Sequence, residues 1–289
     1  MRRFILAGVV LAALLVPASS ASAFSGEYAK FNQCPISNPS VSFCLYAETN
    51  AGQFKLGNKS VPLVNKQVLQ GGAIESQPGN PFATLTLVPA TNGETLSKTP
   101  QPVPGGLLGI TAPSWWPQFL KDLFNETINN GFTGVTATTE IAGPVSGVKL
   151  NLLSTITGNG TALQLPVKVK LSNPFLGSSC YIGSNSNPIR VNLITGTTSP
   201  PPPNTPISGS PGQIGANEAE SIIFNKHNKL VDNSFSAPGA NGCGGILFSW
   251  AVDPLVESMI GVPSAAGNNT AILEGDTYVG EAEYLRTHP

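Results

Sequence analysis

The sequence predicts a mainly β protein: an antiparallel sandwich or partly closed barrel with one amphipathic helix packed on it. Three observations lead there. Aliphatic and polar residues alternate at period two, most clearly where Leu163, Leu165, Val167, Val169 and Leu171 are interleaved with Gln164, Pro166, Lys168 and Lys170. That spacing puts one set of side chains on each face of a strand. Turn formers punctuate the chain: it has 31 glycines and 26 prolines, about a fifth of its 289 residues, and Asn-Gly pairs at Asn92-Gly93, Asn159-Gly160 and Asn241-Gly242. Only 11% of residues are charged, against the ~25% usual in soluble domains, while 40% are hydrophobic, enough for a sizeable core.

Taken in chain order, the first element is a leader. Arg2 and Arg3 precede an apolar run from Phe4 to Val16, Pro17 breaks it, and Ala21-Ser22-Ala23 has the small-residue form of a cleavage site. These are the three parts of a secretory signal peptide, read here as residues 1–23 with cleavage after Ala23. Residues 24–289 then form a single secreted β-rich domain, and two lobes divided near residue 105 are the alternative. The next most apolar stretch, Gly244 to Val262, carries Asp253, Pro254 and Glu257, so no transmembrane segment is expected in the mature chain. The expected location is extracellular or at the cell surface.

Four cysteines follow the leader: Cys34, Cys44, Cys180 and Cys243. An even count in an exported chain points to disulfides. Of the three pairings, Cys34–Cys44 and Cys180–Cys243 is favoured. The first closes a short loop through Pro35 and Pro39, and the second ties a strand region to the corner Gly242-Cys243-Gly244-Gly245. Zinc is disfavoured, because tight Cys-x-x-Cys spacing is absent and there are only two histidines.

Thr161 to Leu171 is the clearest strand, and Pro166, which has no N–H to donate, predicts an edge or a bulge there. Ile189, Val191 and Leu193 repeat the alternation. Weaker strand signals lie at Phe82 to Val88, Phe132 to Ile141, Ser221 to Asn225 and Thr270 to Leu273. One segment has helical spacing instead: Trp116, Phe119, Leu120, Leu123, Phe124, Thr127 and Ile128, with Ser114 as N-cap and Gly131 as stop. A shorter helix is predicted from Asp253-Pro254 through Val256 and Met259 to Gly261. Thr99 to Gly106 and the proline-rich Thr197 to Gly212 read as loops, the latter with polyproline II character as a crossover or exposed arm.

Residues able to carry chemistry are scarce. His288 is penultimate, and His227, in Asn225-Lys226-His227-Asn228-Lys229, has the composition of an exposed turn. No G-x-S-x-G elbow, phosphate-binding glycine loop or calcium loop occurs. The acid pairs Glu218/Glu220, Glu274/Asp276 and Glu281/Glu283 read as solvated surface groups, although a glycosidase needs only two acids close in space. With a formal net charge of -1, no basic excess supports nucleic-acid binding. Trp115, Trp116 and Phe119 form the most suggestive cluster, a ligand or partner surface if they are not buried against the sheet.

Three blocks carry a resemblance: Phe54 to Leu63 (FKLGNKSVPL), Asn173 to Ser184 (NPFLGSSCYIGS) and Phe235 to Gly245 (FSAPGANGCGG). In these the chain resembles an uncharacterised family of exported actinobacterial proteins with no established activity. The resemblance implies export and a shared fold, transfers no catalytic residue, and suits pairing of Cys180 with Cys243, each of which lies in one of the blocks.

The first functional expectation is therefore a disulfide-stapled, non-enzymatic exported protein that acts by binding or structure, on a cell-envelope component or an apolar small molecule, without a cofactor or metal. A carrier of lipid or another apolar ligand in a β cavity is the alternative. A carbohydrate-active hydrolase with paired carboxylates comes third.

Overall fold

The computed structural model describes residues 23–77, 79–80, 83–106, 114, 116–122 and 134–288. Residues 1–22 of the leader, Trp115, and residues 123–128 of the predicted Trp116–Ile128 helix lie outside the described residues. The first strands are β1 (Phe43–Leu56), β2 (Lys59–Pro62), β3 (Gln67–Glu75) and β4 (Thr84–Val88). Short strands β5 (Gln101–Pro102), β6 (Thr136–Ile141) and β7 (Lys149–Asn151) lead to helix α1 (Leu152–Thr157) and to β8 (Leu163–Ser172). There follow β9 (Tyr181–Ile182), β10 (Ile189–Leu193), β11 (Gln213–Ala216), β12 (Ile222–Asp232) and β13 (Ala240–Asn241). Helix α2 (Gly245–Ile260), β14 (Thr270–Glu281) and α3 (Ala282–Thr287) complete the described chain.

Among the described residues the 14 strands belong to one sheet, and the pairings are antiparallel. The main path runs β11-β12-β14-β1-β3-β4-β7-β8, and β8 pairs in addition with β6, β9 and β10. Hydrogen bonding joins β5 to β6 across position 105.

The sheet curls on itself. Ile194, just beyond β10, meets Val231 of β12 in a reciprocal bridge with two N–H···O bonds of 2.9 Å. The two ends touch at this single bridge, not along a ladder, so the sheet is not closed. Bulges supply part of the bend: β1 slips register between Thr49 and Ala51, and β12 between Asn225 and Asn228. Both irregularities face Gly275 of β14, which is paired with Thr49 on one side and Asn228 on the other. A Cβ at Gly275 would overlap the carbonyl oxygen of Glu48. Glycine therefore lets three strands converge where two of them kink.

Inward-facing residues build the main core. In β8 the aliphatic set Leu163, Leu165, Val167, Val169 and Leu171 is buried, and β10 alternates buried Ile189, Val191 and Leu193 with exposed Arg190 and Asn192. A smaller core gathers Phe24, Phe31, Cys34, Val41, Cys44, Ile222, Ala282 and Leu285. It joins the 3-10 turn Gly26–Phe31 and α3 to strands β1, β12 and β14. Arg286 pins this layer: Nε donates to Ile36 O at 2.8 Å, and Nη2 to Asn38 O at 3.0 Å and Val41 O at 2.7 Å.

Three local expectations need correction. Pro166 lies neither at a sheet edge nor at a bulge, since β8 is paired on both sides. Its carbonyl accepts from Ala142 N, so its missing N–H faces the point where β6 ends and β7 takes over, a break that needs no donor. His227 is exposed as expected, but it occupies the β12 bulge and not a turn, with φ 56° and its N–H bonded to Asp276 Oδ1 at 2.8 Å. Polar composition alone does not separate a bulge from a turn. Finally, α2 begins at Gly245, eight residues before Asp253, and Pro254 lies inside it. The reason is that Asp253 caps something else: its oxygens accept from Gly242 N and Cys243 N, at 3.2 and 2.7 Å. The predicted stop at Gly261 holds, with φ 78°.

The proline-rich stretch folds back on itself. Thr197 bridges Ser208, and Asn204 Nδ2 donates to Asn233 O and Asn269 O at 2.8 Å each.

Candidate functional site

The clearest concave feature is inside the curl. Two adjoining cavities, each with about 80 Å³ of room, share Phe54, Leu63 and Thr139 as common wall. Strand β8 runs along both: Leu163, Leu165 and Val167 line one, and Val169 and Leu171 line the other. The period-two face most legible in the sequence is thus the cavity wall. Opposite it in the first cavity stand Leu56 and Val61 of the β1–β2 hairpin, with Val256, Met259 and Ile260 of α2 as a roof. The second is completed by Val191 and Leu193 of β10 and by Ala271 and Leu273 of β14.

Polar groups are few here and most are engaged; the exception is Gln67 at the second cavity, whose Nε2 donates to Thr99 O at 2.8 Å while its buried Oε1 has no partner. Gln101, buried at the first cavity, accepts from Val64 N and Asn65 N at 2.9 Å and donates to Asn65 O at 2.7 Å. Asn228, buried at the second, donates to Asn225 O and Thr277 Oγ1. Glu48 accepts from Tyr46 and Lys66, each at 3.2 Å. Cavities so lined present mostly hydrocarbon, suited to an apolar molecule.

Helix α2 is held over the first cavity at several points. Cys180 is bonded to Cys243, just before the helix. Gly244 N donates to Leu176 O, Glu257 Oε1 accepts from Ala240 N at 3.0 Å, and Asn58 N donates to Ile260 O. The two acids in the helix therefore face its anchors. The second disulfide, Cys34–Cys44, lies in the smaller core.

A third, more polar cavity of about 150 Å³ lies beside Asn192, Thr198, Ser199, Asp232 and Ser234. Burial pushes the Asp232 carboxyl above its ordinary 3.8, against the opposing pull of N–H bonds from Ser234 and Asn192. Asp232 is the one carboxylate there.

The acid pairs weighed for hydrolysis do not converge on any of these three cavities. Glu274 pairs with Lys229 at 3.5 Å, Asp276 accepts from His227 N and Tyr278 Oη, and Glu283 pairs with Arg286. Glu218, Glu220 and Glu281 are exposed. Among the described residues no group of three His, Cys, Asp or Glu is placed to hold a metal ion.

Of the aromatic cluster singled out in the sequence, Trp116 is half-buried, Phe119 is 69% exposed on a helical stretch at 118–122, and Trp115 lies outside the described residues. Neither Trp116 nor Phe119 lines the cavities above. The helix predicted through Val256 and Met259 supplies the roof, but its first eight residues and its place over the cavity are not read from sequence. The signal for the longer helix is the apolar run from Ile246 to Val252 directly before Asp253.

No family model, no curated protein and no solved structure matches the chain. The site therefore has to be read from its own geometry.

Proposed function

We propose that the protein is an exported, non-enzymatic carrier that holds an apolar ligand, such as an acyl chain, inside the curled sheet beneath α2. The observation that carries this reading is the continuous aliphatic wall of β8 facing two adjoining cavities. Their room is of the same order as that of the ~150 Å³ apolar cavity known to stay dry and take up benzene. The scarcity of polar groups around them, with Gln67 Oε1 the one buried acceptor left open, supports binding over chemistry. The two disulfides suit a protein that works in an oxidising environment, and the leader and the resemblance of the three sequence blocks agree with export. Among the described residues no helix is long and apolar enough to cross a membrane.

Two measurements test the proposal. Native mass spectrometry of protein purified from its own host is expected to show a bound apolar molecule. A fluorescent fatty acid should bind the wild type and lose affinity in Val169→Phe, which fills the first cavity. Absence of both the bound mass and the fluorescent uptake would refute the carrier reading.

A further inference from the structure

Helix α2 has two unlike halves. Its C-terminal half supplies Val256, Met259 and Ile260 to the cavity. Its N-terminal half projects: Ile246 is 99% exposed, Trp250 79%, Leu247 75% and Phe248 60%. From Gly244 to Val252 there is no charged residue. A helix advances about 100° per residue, so Ile246, Trp250, Leu247 and Phe248 spread over more than half of its circumference. Apolar residues over more than half of a helix normally mean that it is buried, yet here they project, while Ser249 and Val252 on the remaining side are half-buried.

We propose that this tip inserts into the acyl-chain boundary of a lipid bilayer. Geometry favours lipid over a second copy of the chain. A flat protein face covers one side of a helix, whereas these side chains fan over more than half of the tip and suit a medium that moulds around it. At these fractions the four side chains form an apolar patch larger than the ~300–600 Å² of the largest on a typical monomer, the mark of a surface that is covered in use. Trp250 is suited to the level of the lipid headgroups. Charge selects the kind of bilayer: α2 carries Asp253 and Glu257 and no basic residue, so the tip has no means to prefer anionic lipid. Continuity with the cavity adds a reason, and this part rests on the carrier reading: the helix that enters the bilayer is the one that roofs the cavity, which would spare an apolar ligand a passage through water.

The test uses the disulfide-bonded full chain with Trp115→Phe and Trp116→Phe, which leaves Trp250 as the single tryptophan, and vesicles of phosphatidylcholine. The expected result is a blue shift of Trp250 emission and stronger quenching by nitroxides on the acyl chain than by nitroxides on the headgroup. Vesicles containing phosphatidylglycerol should give no gain. Because the signal comes from Trp250 itself, contact of other segments with the vesicles does not mimic it. Ile246→Ser with Leu247→Ser, both at exposed positions, should reduce vesicle-dependent quenching by at least roughly tenfold. Unchanged Trp250 emission on vesicles overturns the proposal. So does concentration-dependent burial of Trp250 without lipid, which would assign the tip to a second copy. Fatty-acid uptake without vesicles separates the two readings: the tip variant should keep it, whereas Val169→Phe should lose it and still dock.

Discussion

The two disulfides close loops of very different length, and this allows a quantitative test of what holds α2 in place. Cys34 and Cys44 are 10 residues apart, and Cys180 and Cys243 are 63 apart. Restriction of the unfolded chain grows with the logarithm of loop length, which gives about 2.7 kcal/mol for the shorter loop and about 4.3 kcal/mol for the longer at 25 °C. All four sulfurs are buried, so replacing either pair with alanine removes a comparable amount of packing, and the packing terms largely cancel in the comparison. The Cys180→Ala/Cys243→Ala variant should therefore be less stable than Cys34→Ala/Cys44→Ala by about 1.6 kcal/mol. Equilibrium guanidinium unfolding, followed by far-ultraviolet circular dichroism and extrapolated to water for both variants and the wild type, measures the difference. Equal losses, or a greater loss from the short loop, would show that loop entropy is not how the longer bridge acts.

Three further outcomes follow from named contacts. Arg286→Ala leaves Ile36 O and Val41 O without their donor, while Asn38 O keeps Val41 N, and should cost about 2–4 kcal/mol in unfolding free energy; a loss below 1 kcal/mol, or roughly the value of a solvated surface pair, would mean that the terminal layer is not pinned there. Gly275→Ala forces a methyl group into the Glu48 carbonyl, and more than about 3 kcal/mol of destabilisation is expected in the same assay; a neutral result would place the bend elsewhere. Burial, and next the nearby Asp276 carboxylate, push the Tyr278 phenol up from 10 to about 12. The folded chain then keeps a proton that the unfolded chain releases, so stability present below pH 10 is lost as pH rises toward about 12. Tyr278→Phe should remove that part of the alkaline slope and the matching late step in phenolate absorbance; an unchanged titration would refute the assignment.

Some of this molecule can be read without its coordinates. Period-two alternation is a local property, so the buried faces of β8 and β10 follow from a few consecutive residues. So do the stop of α2 at Gly261, set by a glycine's access to positive φ, and the scarcity of groups able to catalyse a reaction. The two cysteine pairings could be favoured from spacing alone because one pair lies so close in sequence. Other features depend on residues far apart in the chain. The bend at Gly275 requires Thr49 and Asn228 to sit on either side of it, and no window of sequence contains all three. The role of Pro166 depends on β6 and β7 ending beside it. His227 belongs to a bulge because Asp276, on another strand, receives its N–H. Helix α2 carries the sharpest lesson: an uncharged apolar run predicts burial, and its composition is the same whether the run enters a core or projects from it. Composition and periodicity decided the β class, the inward faces and the covalent staples, because those depend on neighbours in sequence. Only tertiary contacts decided that the sheet curls around apolar space and that one half of a helix roofs it while the other half points outward, because both depend on which distant surfaces meet.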